Sequence, residues 1–392
     1  MTATMIRLGC EVICDDFPSW LRRARIGLLS NQASVSGSLE HVSTLIRRAG
    51  ASLVCLFSPQ HGFLGEKQAN MVESDHAMDA DSGLPIFSLY GEFRQPTPAM
   101  LERIDVLLVD LQDVGTRVYT YSTTMGLCLE AASAIGIKVV VLDRPNPIGG
   151  ACVEGNVLEL SHRSFVGRYG APMRHGMTMG EYARFIVRKA GLDCDLNVIP
   201  MRGWARRMLL PETGLPWVFP SPNMPAWETA LVYPGMVLLE GTNVSEGRGT
   251  TLPFMLFGAP FVDQKELGRR LKEKRLPGVA FRPVTFEPVF DKWKSQLCNG
   301  FQIHILEWDR VKPYTLGLEL LQALLDVHGD AFQWLPPPYE YEWEKLPIDI
   351  LLGNGWLRGA LESKAPVSQL EAEWTSELDG FRDVRQSCLL YP

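Results

Sequence analysis

No stretch of the 392-residue chain approaches the roughly 20 apolar residues that a membrane-spanning helix needs. A basic excess is missing too. Lys and Arg number 38 against 45 Asp and Glu, a formal net charge of −7, and no basic cluster marks a nucleic-acid surface. No Gly-x-Gly-x-x-Gly follows the first strand-like run, where Gly37 stands alone among serines, and there is no Walker A loop. That excludes a nicotinamide or nucleoside triphosphate cofactor. Gly-x-Ser-x-Gly and His-Glu-x-x-His are also absent, and the seven histidines show no metal-ligand spacing. Cysteine is sparse. The eight residues are scattered, mostly in apolar runs such as Leu53-Val54-Cys55-Leu56, and read as buried free thiols in a reducing compartment. Cys10 and Cys14 have a ligand-like spacing but no second pair to complete a site. The start, Met1 to Arg7, lacks the charged, apolar and small-residue regions of a signal peptide. The expectation is a cytoplasmic chain, secreted only if a leader has been removed.

What is present is an ordinary globular composition, 46% hydrophobic and 21% charged, in a chain long enough for two domains. Apolar runs at Ile26–Ser30, Leu53–Phe57, Pro85–Tyr90, Val106–Leu111 and Lys138–Leu142 alternate with helical stretches such as Leu39–Ala49 and Met125–Ile135. Val-, Leu- and Ile-rich runs separated by amphipathic helices predict an α/β fold with a Rossmann-like, doubly wound parallel sheet over residues 1–155. Residues 156–392 have a different texture, and a smaller mixed α+β domain is expected there. Its helices are Thr178–Ala190, Gln264–Lys274 and Thr315–His328, with strands at Leu196–Met201 and Gln302–Leu306. Leu209–Pro225 reads as a connector, and Leu335-Pro336-Pro337-Pro338-Tyr339 as a stiff segment running over the surface.

Ligands of a doubly wound sheet sit beyond the carboxyl ends of its strands, and the segments there are rich in polar groups. They carry Asn31 after the first run, Gln60 and His61 after the second, Gln112–Tyr121 after the fourth, and Asp143–Pro147 after the fifth. The fourth holds Asp113, Arg117, Tyr119 and Tyr121; the fifth holds Arg144 and Asn146. Arg174 and His175 precede a helix whose start, Thr178 to Glu181, has the form of a capping box. Asn223 lies in a rigid Ser-Pro-Asn-Met-Pro turn. The densest stretch, Leu239–Thr251, combines Glu240, Asn243, Glu246 and Arg248 with three glycines that let backbone approach a ligand closely. A turn-rich loop with a Glu240–Arg248 ion pair is the plainer reading. With no serine elbow and no metal signature, carboxylates, Tyr and His remain, an inventory that suits glycoside hydrolysis.

Taken together, the blocks Gln112–Tyr121, Asp143–Gly150, Ser164–Gly167, Arg174–Thr178, Ser221–Pro225 and Glu240–Thr251 resemble the exo-β-N-acetylmuramidase family over nearly the whole chain. The resemblance implies a bacterial, metal-independent glycoside hydrolase of peptidoglycan recycling, with no cofactor and a sugar or muropeptide as substrate. It would release N-acetylmuramic acid from the non-reducing end of peptidoglycan fragments, with its active site in the cleft between a Rossmann-like and a smaller domain. The family's catalytic glutamate lies in a Pro-Glu-His-Gly block, which here reads Pro59-Gln60-His61-Gly62, and an amide cannot transfer the proton. Three readings follow: another carboxylate acts, the substrate is a different amino sugar, or the chain binds muropeptides without cleaving them. For an active enzyme the expected catalytic set is Glu66, Glu246, Asp113, Tyr121 and His61. The muramic acetamido oxygen would attack the anomeric carbon, Asp113 or Tyr121 would orient it, and Glu246 or Glu66 would protonate the leaving oxygen. The expected substrate contacts are Asn31, Gln60, Arg117, Tyr119, Arg144, Asn146, Arg174, His175, Asn223, Glu240, Asn243 and Arg248. One of the four arginines would grip the lactyl carboxylate.

Overall fold

The structure, a computed structural model, describes residues 6–69 and 71–392. Met1–Met5, part of the segment read for a leader, and Asn70 lie outside the described residues. Six strands open the chain: β1 (Arg25–Leu29), β2 (Ser52–Ser58), β3 (Ala77–Met78), β4 (Pro85–Ser88), β5 (Val106–Val109) and β6 (Lys138–Leu142). A two-stranded antiparallel ribbon follows, β7 (Glu154–Val157) with β8 (Pro172–Arg174), and the chain then returns to the sheet as β9 (Leu196–Ile199). The sheet has the order β3-β4-β2-β1-β5-β6-β9, parallel throughout except for the β3–β4 edge. This is the expected doubly wound sheet. Its last strand comes from beyond residue 155, so the expected boundary there does not fall at the end of the sheet.

Strand side chains alternate between the two faces. Ile26, Leu28, Val106 and Leu108 pack with the N-terminal helix Gly9–Asp15 and with Val42–Arg48. Leu29, Leu107 and Val109 face the helices Tyr121–Ile135 and Met179–Ala190. Burial on both faces is why these strands read as continuous apolar runs, and each such side chain contributes about 2 kcal/mol on leaving water. The second helix starts at the predicted Thr178 cap, whose hydroxyl accepts from Glu181 N–H while Glu181 Oε2 accepts from Thr178 N–H. The helix Tyr121–Ile135 begins four residues before the predicted Met125, because its first turns are buried all round and show no amphipathic stripe.

The C-terminal half holds an antiparallel sheet of β10 (Leu256–Ala259), β11 (Val279–Phe286) and β12 (Cys298–Ile305), in the order β10-β12-β11. The helix Gln264–Lys274 packs on it, and Pro313–His328 packs on that helix and on Trp227–Met236. Phe257, Phe301, Leu320 and Leu351 join the same buried cluster as Leu107 and Tyr121, so one core runs through both halves. The cleft between them is floored by that shared core. No helix among the described residues is long and apolar enough to cross a membrane. The Pro-rich segment departs from expectation. It leaves the surface after Pro338 and turns into the cleft, burying Tyr339 and Glu340.

Candidate active site

In the order of the sheet, β1 and β5 are neighbours, and the connection from β1 runs to β2 on one side while that from β5 runs to β6 on the other, which opens a crevice at their carboxyl ends. Asn31, just past β1, donates from Nδ2 to the Tyr121 hydroxyl (2.8 Å) and to the Pro220 carbonyl (3.0 Å), which Tyr121 also reaches at 2.5 Å. This strut fixes the connector Leu209–Pro225 against the sheet. Past β5, Asp113 Oδ2 accepts from Gly115 N–H at 2.6 Å. Gly115 has φ +77°, and a Cβ there would run into the Asn146 side chain. The tight turn directs Val118, Tyr119 and Thr120 outward into the cleft.

There they meet the C-terminal half around a cavity of about 30 Å³. Its walls carry Gln60, His61, Tyr119, Thr120, Ser221 and Asn223 from one side. From the other come Tyr233, Glu240, Arg248, Phe254, Tyr339 and Glu340. Six of the seventeen expected site residues therefore converge: Gln60, His61, Tyr119, Asn223, Glu240 and Arg248.

Two carboxylates line the cavity. Glu240 accepts from Arg248 Nη2 at 2.7 Å and from the Tyr339 hydroxyl at 2.6 Å. Glu340 accepts from Gln60 Nε2 at 3.2 Å and from the Tyr90 hydroxyl at 2.8 Å. The Gln60 amide is oriented from behind, because the Thr120 hydroxyl donates to its Oε1 at 2.6 Å. Burial drives the Glu340 carboxyl up to about 7, and the nearby Glu240 charge adds to this against the pull of Tyr90, Gln60 and Arg248. Glu340 and Tyr341 are the two central residues of a tight turn closed by paired Tyr339 and Glu342 backbones. Both have positive φ, +45° and +68°, a conformation that costs a non-glycine residue about 1 kcal/mol or more.

Arg248 is buried, yet Glu240 and Glu246 outweigh the effect of burial and keep it firmly charged. Its Nη1 has no hydrogen-bond partner among the described residues. His61 sits at φ +73° with Nδ1 2.7 Å from the Lys67 carbonyl, so that nitrogen carries the proton. Burial depresses its pKa to about 4 and the neutral ring keeps Nε2 as an acceptor. Asn223 accepts from Gln68 Nε2 and donates to the Gln68 carbonyl, tying the turn to the loop after β2.

The other expected residues lie elsewhere, each for a visible reason. Glu66 is exposed and accepts from Leu64 N–H outside the cavity. Glu246 is buried against Lys292 Nζ (2.8 Å) and Arg248 Nε (3.2 Å). Burial pushes its carboxyl up, but those two cations outweigh it and hold the group below the ordinary value, so Glu246 is a poor proton donor. Asp113 faces His175 Nε2 at 3.5 Å, and Tyr121 belongs to the strut, so neither is placed to orient an acetamido group in the cavity. Arg117 donates to the carbonyls of Asn156, Ala171, Leu351 and Leu352. Arg144 pairs with Asp110, Arg174 donates to the Ile148 carbonyl, and Asn146 donates to the Met177 carbonyl. Asn243 bridges to the Ala331 carbonyl and Gln333 N–H. Glu340, Tyr90, Tyr339 and Thr120 were missed. Thr120 and Tyr90 lay within the blocks Gln112–Tyr121 and Pro85–Tyr90 without being singled out, and for Tyr339 and Glu340 the signal was the aromatic-flanked Tyr339-Glu340-Tyr341 directly after three prolines.

Comparison with known proteins identifies the family. Residues 26–228 match the N-terminal family model of the exo-β-N-acetylmuramidase NamZ, and residues 231–391 match the C-terminal one. A peptidoglycan β-N-acetylmuramidase NamZ of Bacillus subtilis (strain 168) is 41% identical over 387 residues, 98% of this chain and 91% of that protein. Two crystal structures of DUF1343 family proteins from Bacteroides fragilis NCTC 9343 superpose over 99% of both chains. Their TM-scores are 0.88 and 0.77, at 33% and 29% identity.

Proposed function

Because the chain belongs to the exo-β-N-acetylmuramidase family, we propose that it is a glycoside hydrolase releasing N-acetylmuramic acid from the non-reducing end of peptidoglycan fragments. The cavity between its two halves is the site. The observation that carries this reading is Arg248. A muramic residue differs from its glucosamine counterpart by a lactyl carboxylate, and a guanidinium is the side chain best matched to that group. Of the four candidate arginines, Arg248 alone lines the cavity, and its buried Nη1 has no hydrogen-bond partner among the described residues.

The walls supply the rest. Glu240 gives negative charge to an oxocarbenium-like transition state and a hydrogen-bond acceptor for the acetamido N–H, whose oxygen attacks the anomeric carbon. Neutral His61 and Asn223 offer hydrogen bonds to sugar hydroxyls. A site for a substituted pyranose needs about 300 Å³ or more, ten times the cavity, so the Tyr339–Tyr341 turn must withdraw to admit substrate and close behind it. Closure of this kind excludes water from the reacting bond.

Incubation with a reducing-end-labelled peptidoglycan tetrasaccharide that begins with N-acetylmuramic acid tests the reading by mass spectrometry. Free N-acetylmuramic acid and a labelled trisaccharide are expected. Internal cleavage, or unchanged substrate with tight binding by calorimetry, would contradict it.

A further inference from the structure

We propose that Glu340 is the catalytic acid of this enzyme, standing across a hydrogen bond from the glutamine that occupies the family's glutamate position, and that Gln60 positions it. This rests on the muramidase reading above. Four observations converge on it. Glu340 lines the same cavity as Arg248 and Glu240, so it reaches whatever the arginine holds. Glu340 is enclosed, at 3% exposure, and among the described residues the Gln60 and Tyr90 side chains donate to its carboxyl. It sits in a two-residue turn with both φ values positive, a backbone cost that the Tyr339–Glu342 pairing sustains. Finally, Thr120 donates to Gln60 Oε1 and so commits Gln60 Nε2 to Glu340.

This geometry gives glutamine at position 60 a chemical reason. A glutamate there would face Glu340 at about the 3.2 Å of the present contact, and two carboxylates so close cannot both ionise. The amide turns that repulsion into a donor–acceptor contact and leaves the transferable proton on Glu340. Glu240 and Glu246 are less suited to give a proton, each held by Arg248, and Glu246 by Lys292 as well.

In the step proposed, Glu340 Oε–H gives its proton to the glycosidic oxygen while the bond from that oxygen to the anomeric carbon breaks. The bonding pair stays on the leaving oxygen, which departs as an alcohol. The substrate's acetamido oxygen forms the new bond to the anomeric carbon. Water then adds to that carbon, displaces the acetamido oxygen, and returns a proton to the Glu340 carboxylate. The ionisable groups around Glu340 are the phenols of Tyr90, Tyr233, Tyr339 and Tyr341, with Glu240, Arg248 and His61. With a pKa near 7, the acid form is lost as pH rises through neutrality, so kcat/KM falls on that side.

The test compares kcat/KM of wild type and Glu340→Gln on two substrates, a muramyl-β-1,4-glucosamine disaccharide and a 4-nitrophenyl β-muraminide. The disaccharide needs a proton on its leaving oxygen, and a nitrophenolate does not. The variant is expected to lose about 1000-fold on the disaccharide and less than about 30-fold on the aryl glycoside. Equal losses on both, or no loss on the disaccharide, would overturn the assignment. Wild type inactive on both substrates would overturn the muramidase reading and this assignment with it. A second variant, Tyr90→Phe, removes a hydrogen bond that favours the ionised carboxyl. Its alkaline limb should move up in pH, and an unmoved limb would also overturn the proposal.

Discussion

Arg117 and Arg248 are both buried arginines, and they do opposite things. Arg117 is 1% exposed and turns its terminal nitrogens onto four main-chain carbonyls, two of them near the β7–β8 ribbon and two at the end of the helix Pro347–Leu352. Among the described residues no carboxylate pairs with it, and burial pulls its pKa down. Arg248 lies between Glu240 and Glu246 in the cavity wall, is held firmly charged, and has a buried Nη1 without a hydrogen-bond partner among the described residues. The first joins the two halves of the molecule and the second faces what enters between them. Each keeps a buried donor without a partner among the described residues, Nε in Arg117 and Nη1 in Arg248, so the difference lies in place. A buried cation fixed to backbone carbonyls away from the cavity is a fastener, whereas one that balances carboxylates in the cavity wall is a receptor.

Separating those roles by mutation gives the largest expected effect at Arg117. Arg117→Ala strands four carbonyls and should destabilise the fold by about 4 kcal/mol, read from denaturant melts. kcat/KM per folded molecule should be unchanged. A loss of turnover without a loss of stability would erase the distinction. Next is Glu340→Gln, whose effect on stability has the opposite sign to its effect on activity. The folded pKa of about 7 lies above the ordinary carboxyl value, so the folded state retains a proton that the unfolded chain releases. The stability this confers is complete below the ordinary carboxyl range and is lost as pH rises through 7. Removing the carboxyl should therefore raise stability relative to wild type at pH 9, by at most about 3 kcal/mol, with little difference at pH 4. Thermal melts at the two pH values check this, and an equal offset at both would contradict it. The smallest effect belongs to Glu66→Gln. Glu66 is exposed and outside the cavity, so turnover should stay within about twofold of wild type.

The same contrast marks what sequence could and could not show. Strands β1, β2, β5 and β6 were legible because burial on both faces leaves unbroken Val, Leu and Ile, and the edge pair β3–β4 was only half visible because β3 has two exposed residues. The segments beyond the strand ends were correctly found to be polar, but most of that polarity is structural. Asn31, Asp113, Arg144 and Asn146 hold loops to one another, a role that residue type does not separate from ligand binding. Gln60 and Arg248 were found because their motifs are local. Glu340 meets Gln60 across 280 residues of sequence and Tyr90 across 250, and nothing in a run of prolines announces that it turns inward. Where a site is assembled from distant turns, the acidic residue that matters carries no pattern of its own.

The measurement that bears most directly on the account is the ratio of kcat/KM for 4-nitrophenyl β-N-acetylmuraminide over the matching N-acetylglucosaminide, in wild type and in Arg248→Lys. Lysine keeps the charge between Glu240 and Glu246 but loses the forked donor. The ratio should fall by about 100-fold, through the muramic substrate alone. An unchanged ratio, with both substrates slowed together, would mean that Arg248 only braces its two carboxylates and that the lactyl group is read elsewhere.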